Sequence, residues 1–245
     1  MSLLGIDIGT TGCKAVAFSA DGWCLGEAYR EYPPPRTDAG HMELDARKVW
    51  GMICGAVREV AAQTAHDPVT ALSTSSLGEA LVPVSRDRRI LGTSILCTDF
   101  RGREYVDFLL ETMSREEFYE INPNLPGTHY SLPKLMWLRD YLPDLYGAAH
   151  RFLLWGDLVG FMLGCEPVTA DSLANRTLLF DLRRNDWSER LLAWSRIDPS
   201  KLAPVRPGGT VAGFAGENDL GIPKGAAVVA GGHDQCCNAL GAGVC

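Results

Sequence analysis

Leu4, Ile6 and Ile8 fall at alternate positions and run straight into Gly9-Thr10-Thr11-Gly12, after which apolar residues resume at Ala15, Val16 and Phe18. Alternation on both sides of a glycine-bracketed turn predicts two antiparallel strands at the start of the chain. The glycines let backbone N–H groups face inward, and the Thr10 and Thr11 hydroxyls and the Lys14 amine add donors at the same point. A polyanion such as a nucleotide phosphate tail fits such a turn. Asp7 ends the first strand beside it, where a carboxylate can hold a hydrated magnesium ion. The turn is neither a Walker loop, which needs Gly-Lys-Ser/Thr opening a helix, nor a Gly-x-Gly-x-x-Gly dinucleotide turn. On these residues alone, a tight hairpin with nothing bound is also open.

Downstream, Trp23–Tyr32 reads as a third strand closing an antiparallel meander after the Asp21-Gly22 turn. Pro33-Pro34-Pro35 breaks it, and Thr37–Glu43 reads as loop. Asp45 stands as the N-cap of a helix over Ala46–Thr64, with Val49, Trp50, Ile53, Val57 and Val60 on one face. Val69–Ser75 is then a strand parallel to the first, because a helix crosses over between them. Leu81–Val84 and Ile90–Cys97 read as further strands, separated by Arg86-Asp87-Arg88. Strand, strand, strand, helix, strand is not a doubly wound order. It resembles the ribonuclease-H-like order used by actin-type ATPases and sugar kinases, which implies an α/β domain whose mixed sheet has antiparallel first strands and flanking helices. A helical insertion is expected from Gly102 to about Asp198, with helices at Arg103–Thr112, Arg115–Ile121, Leu132–Tyr141, Gly156–Leu163 and Ser188–Trp194 and a short strand at Thr177–Asp181. A strand at Ala227–Ala230 leads through Gly231-Gly232-His233-Asp234-Gln235 into a helix over Cys236–Leu240.

The 245 residues carry a net charge of −7 with scattered Lys and Arg, which argues against a nucleic-acid groove. No apolar run approaches the roughly 18 residues of a membrane span, and no basic-then-apolar leader opens the chain. Eight cysteines without a Cys-x-x-Cys pair, mostly single in apolar stretches (Cys13, Cys54, Cys97, Cys165), read as reduced thiols of a cytoplasmic protein.

Gly5-Ile-Asp-Ile-Gly-Thr-Thr-Gly-Cys-Lys14 resembles the first phosphate-binding hairpin of the actin/hexokinase/Hsp70 superfamily. The whole chain resembles the N-terminal domain of the FGGY carbohydrate kinases, which include glycerol kinase, xylulokinase and gluconokinase. Ile95-Leu-Cys-Thr-Asp99, Pro133-Lys134-Leu-Met-Trp137-Leu, Ala170-Asp171…Arg176-Thr…Asp181 and Gly231-Gly-His-Asp234-Gln235 match family segments in order and spacing. The resemblance implies an ATP- and Mg2+-dependent kinase acting on a hydroxyl of a sugar, polyol or sugar acid. Such chemistry mainly needs positioning, charge neutralisation and one base near the acceptor.

Asp234 is the expected general base; taken without the family likeness, it reads as a helix N-cap. Gly9, Thr10, Thr11, Gly12 and Lys14 would face the phosphates, with Asp7 holding magnesium through water; Lys14 also reads as an ordinary exposed strand residue. Ser76, Gly78, Glu79, His129 and Gln235 complete the expected acceptor site with Asp234. Here the chain departs from its relatives. Xylulokinases carry Met-His-Gly and glycerol kinases Arg-Glu at the loop that reads Ser76-Leu77-Gly78-Glu79-Ala80, so the carboxylate survives and the guanidinium is missing. Gly78 then makes room for a larger acceptor or for a group supplied from elsewhere.

Other roles stay open. His233 reads as a substrate contact or as packing, and Asp99 as a cleft residue or the cap of the helix near Gly102. Asp171 and Arg176 read as a structural pair or as ligand contacts. Trp50, Trp137 and Trp155 read as core. FGGY kinases run to about twice this length, so residues 1–245 are expected to be the acceptor- and base-bearing half, with an absent C-terminal ATP-binding domain as partner. Homodimers are common among such enzymes. Two other classes stand beside the kinase: a sugar-binding regulator without phosphotransfer, and a non-kinase ATPase of the same superfamily.

Overall fold

Alternation sets the first layer. In the computed structural model, which describes residues 1–33, 37 and 39–244, β1 (Ser2–Ile8), β2 (Gly12–Ser19) and β3 (Cys24–Glu31) form the expected antiparallel meander. Leu4, Ile6 and Ile8 enter the core, while Leu3 and Asp7 face outward. The proline break cannot be followed, because Pro34 and Pro35 lie outside the described residues.

Helix α1 (Ala46–Gln63) starts where expected: the Asp45 carboxylate accepts the Lys48 N–H at 3.1 Å. Its buried face carries Val49, Ile53, Val57 and Val60 onto the sheet, each contributing about 1.5–3 kcal/mol of apolar burial. Trp50 packs at the margin of this cluster, whereas Trp155 is completely buried and donates its indole N–H to Ser94 Oγ. After α1 the chain returns as the Val69–Ser76 strand, parallel to β1. The Ala227–His233 strand pairs parallel to it on the far side, and Val211–Phe214 pairs antiparallel to that strand as the edge. The six-stranded order is Val211–Phe214, Ala227–His233, Val69–Ser76, β1, β2, β3.

Three parallel strands therefore end at one edge of the sheet. Ile8 pairs with Ser76, and Ser76 with His233, so the turn after β1, the loop after Ser76 and the residues after His233 emerge side by side. This register positions everything that follows.

The helical insertion is present, with a second apolar core around Phe118, Leu132, Leu135, Phe152 and Leu191. Leu81–Val84 is the expected strand, and it pairs with Arg151–Leu154 outside the six-stranded sheet. Two other expectations need correction. Ile90–Cys97 shortens to Ser94–Ile95, which pairs with Glu43–Leu44 at the end of the expected loop, and Thr177–Asp181 shortens to Phe180–Asp181. These segments are apolar because they are buried among helices, and burial without a long partner strand does not extend a ladder. Among the described residues no helix is long and apolar enough to cross a membrane.

Candidate functional site

The hairpin closes with the Gly9 N–H donating to the Gly12 carbonyl at 2.9 Å, and the Tyr32 N–H donates to the Thr11 carbonyl. Gly12 needs its missing side chain: a Cβ there would drive into the Tyr29 hydroxyl and lie 2.7 Å from the Arg30 carbonyl. Thr10 and Thr11 stand exposed at the tip. Asp7 lies opposite Lys14 on β2 and beside Ser75 on the parallel strand, whose hydroxyl donates to Asp7 Oδ1 at 2.8 Å. Lys14 turns its amine to Glu27 at 2.6 Å, with both side chains about half exposed. Asp7, Lys14, Ser73, Ser75 and Cys237 line an open cavity of about 330 Å³ on this sheet face.

At the same edge, the Ala227–His233 strand passes directly into the Asp234–Gly241 helix. Gly231 permits the approach, since a Cβ there would run into the Thr74 carbonyl oxygen. The N-cap is His233, without a side-chain capping bond, and Asp234 is the first helical residue. The capping role that Asp234 suggests in isolation is therefore not the one it has. Its Oδ1 accepts the Gln235 N–H at 2.7 Å and lies 3.2 Å from His233 Nε2, and its side chain keeps about a third of its exposure. Gln235 is exposed beside it.

The loop after Ser76 forms the next wall. Ser76 is fully buried: its hydroxyl donates to the Leu77 carbonyl and accepts the Gly156 N–H at 3.1 Å, so it braces the loop and does not reach the cleft. Glu79 has the left-handed φ of 63°, and Ser131 Oγ donates to its backbone carbonyl at 2.7 Å. Its carboxylate Oε1 receives Arg176 Nε at 2.6 Å and a terminal guanidinium nitrogen at 2.5 Å. Burial pushes the Glu79 carboxyl upward, Arg176 pulls against that, and Asp234 adds repulsion in the upward direction. Arg176 also lies over the Tyr130 ring, 4.7 Å from its centre, and the exposed His129 ring lies tilted against the same ring with the centroids 4.0 Å apart.

The guanidinium missing from the loop thus comes from Arg176, which follows the Asp171–Asn175 helix. The space at Gly78 is filled rather than open, by His233 and the Arg176 stem. Asp171 does not pair with Arg176; its Oδ1 accepts the Ser172 N–H at 2.8 Å. Sequence reasoning flagged Arg176 but missed its contact with Glu79, because a single sequence carries no signal for a pair 97 residues apart.

Asp99 proves to be structural. It accepts hydrogen bonds from the Met42 N–H and from the backbone and side chain of Arg101, while Gly102 caps the next helix. Burial raises the Asp99 carboxyl, but the Arg101 and Met42 hydrogen bonds outweigh it and hold the pKa at about 2. Lys134 sends its buried amine to the carbonyls of Asp99 and Arg101, and burial depresses it to about 8. Trp137 lies partly buried under the Arg101 guanidinium.

The family model described as "FGGY family of carbohydrate kinases, N-terminal domain" matches residues 2–241. Xylulose kinase of Staphylococcus xylosus is 26% identical over 245 residues, covering 99% of this chain and 51% of that protein. Autoinducer-2 kinase of Escherichia coli (strain SMS-3-5 / SECEC) is 29% identical over 256 residues, covering 99% and 47%. The chain therefore spans about half the length of these relatives. The crystal structure of xylulose kinase from Rhodospirillum rubrum superposes with a TM-score of 0.93 at 23% identity, over 100% of this chain and 51% of that one. Plasmodium falciparum glycerol kinase with ADP gives 0.90 at 17% identity, over 98% and 50%. At these identities the structures establish the fold.

Proposed function

The chain belongs to the FGGY family of carbohydrate kinases, and from that premise we propose that it is the acceptor- and base-bearing half of an ATP-dependent kinase. On this reading the γ-phosphoryl group of ATP passes to a hydroxyl of an uncharged sugar or polyol, and the nucleotide-binding half of the enzyme corresponds to the part of the relatives that this chain does not span.

One observation carries the reading: the shared strand register brings the hairpin, the Glu79 loop and Asp234 to a single sheet edge. The acceptor hydroxyl would sit against Asp234, which takes its proton as the oxygen attacks Pγ. The new O–Pγ bond forms as the bond from Pγ to the bridging β–γ oxygen breaks, and ADP leaves with that oxygen. Thr10, Thr11 and Gly12 would offer the hairpin's donors to the phosphates, Gly9 closes the turn with its N–H on the Gly12 carbonyl, and Lys14 would reach them by leaving Glu27. Asp7 suits a hydrated magnesium ion, since its carboxylate is exposed, bonded to Ser75 and at the cavity wall. When bound, the ion would neutralise charge on the phosphates.

Glu79, His129 and Gln235 supply hydrogen-bonding groups for vicinal hydroxyls. The preference for an uncharged acceptor follows from the neighbouring cations: Arg176 is held by Glu79 and Lys134 by backbone carbonyls.

The test is ADP release by the complete enzyme over a panel of polyols, ketoses and sugar acids, with Asp234→Asn as control. Release with neutral acceptors that drops by at least about a hundredfold in the variant supports the reading. Undiminished release in Asp234→Asn removes the base, and a preference for sugar acids removes the acceptor class.

A further inference from the structure

We propose that His233 is a positioning residue for Asp234, seated against that carboxylate because position 78 is glycine. The inference rests on Asp234 serving as the base. Gly78 does not have a left-handed φ, so its backbone would accept any side chain. What forbids one is occupied space. A Cβ at position 78 would lie 2.8 Å from His233 Cδ2, 3.1 Å from His233 Nε2 and 3.1 Å from Arg176 Cγ. The imidazole and the arginine stem therefore take the volume that a larger residue in this loop would claim.

The His233 backbone N–H donates to Ser172 Oγ at 3.1 Å, which anchors the main chain there, and packing leaves the side chain only 13% exposed. Two groups then meet a single oxygen of the base: His233 Nε2 at 3.2 Å and the Gln235 N–H at 2.7 Å both address Asp234 Oδ1. The Gln235 hydrogen bond and the adjoining imidazole restrict the carboxylate's rotation and leave Oδ2 for an acceptor hydroxyl.

The charged groups facing the imidazole are Asp234 and Arg176, with Glu79 behind Arg176. Burial lowers the His233 pKa, Asp234 raises it, and Arg176 lowers it again, with a downward net. With a neutral ring, the approach of Nε2 to within 3.2 Å of the carboxylate oxygen favours the tautomer carrying hydrogen on Nε2.

The experiment has two arms. In the first, long-range 1H–15N spectra of the 245-residue chain read the His233 ring without any substrate. The expected result is the Nε2–H tautomer in the wild type, with altered ring shifts in both Asp234→Asn and Gly78→Ala. Ring signals unchanged by either substitution overturn the inference.

In the second arm, turnover by the complete enzyme is measured for Gly78→Ala, His233→Ala, their combination and His233→Gln. Each single alanine variant should lower kcat about tenfold with little change in KM, and the double variant should be no worse than His233→Ala. Partial recovery in His233→Gln, which retains an N–H donor, separates positioning from space filling. Additive losses in the double variant, or full activity in His233→Ala, overturn the inference. If Gly78→Ala does not fold, His233→Ala and His233→Gln decide. A wild-type enzyme without acceptor-dependent ADP release overturns the kinase reading and this inference together. Normal turnover with a ring indifferent to Asp234 overturns this inference alone.

Discussion

Replacing Arg176 by alanine strands the Glu79 carboxylate, which is 9% exposed and has both of its side-chain ion-pair contacts from that guanidinium. Breaking a buried pair from one side costs about 3–5 kcal/mol. Arg176 itself is 26% exposed, so the low end, about 3 kcal/mol near pH 8, is the appropriate expectation. In a domain of this size that is a loss of about 6–12 °C in Tm. The deficit should depend on pH in a defined direction. Burial raises the folded Glu79 pKa; Arg176 opposes the rise, and Asp234 adds to it. Without Arg176 the rise is larger. A carboxyl whose folded pKa exceeds its unfolded value contributes stability that is fully present below the unfolded pKa and lost as pH rises through the folded one. The variant should therefore be close to wild type near about pH 4 and fall behind toward about pH 8. Urea denaturation followed by tryptophan fluorescence across that range measures this, with Glu79→Gln/Arg176→Ala as the companion expected to recover much of the loss. A pH-independent deficit, or no recovery in the double variant, would show that Glu79 is not the group left stranded.

Asp157 is buried with Thr169 Oγ1 donating to it at 2.5 Å, and burial pushes its carboxyl to about 7. Stability should fall on the order of 1–2 kcal/mol from about pH 6 to 8.5, and Asp157→Asn should remove that slope in calorimetric scans. Asp45→Ala should cost about 1 kcal/mol at neutral pH through loss of the α1 cap. The Lys48 N–H lowers the Asp45 pKa, so this contribution is present above the unfolded carboxyl value and disappears as pH falls through the folded one; denaturation midpoints at neutral and strongly acidic pH check it. Gly231→Ala drives a methyl group into the Thr74 carbonyl and should destabilise by more than about 3 kcal/mol, visible as lost soluble yield and a lower Tm.

Local chemistry made much of the frame legible. Alternating apolar residues around Gly9 and Gly12, the Asp45 cap with its 3.6-residue apolar stripe, and the return strand after α1 are short-range patterns, and the structure follows them. The helix at Arg103–Thr112 was legible from its own apolar spacing, whereas Ser131–Tyr141 is buried on nearly every side and has no such stripe. The Ile90–Cys97 stretch was not: burial makes a segment apolar whether or not a strand lies beside it, and only the partner's position decides.

At the candidate site the division is sharper. Residue types nominated Asp7, the Gly9–Gly12 turn, Glu79 and Asp234, because phosphate cradling and proton transfer draw on few side chains. Tertiary structure decided how they are arranged. It sent the Ser76 hydroxyl inward to Gly156, brought Arg176 across 97 residues to Glu79, and filled the space at Gly78 with His233. A strand pattern states which face a residue occupies, but the distance between side chains on different elements exists only once the sheet has closed its register. Sequence determined the inventory of this edge, and packing determined which of its charges were already spent on one another.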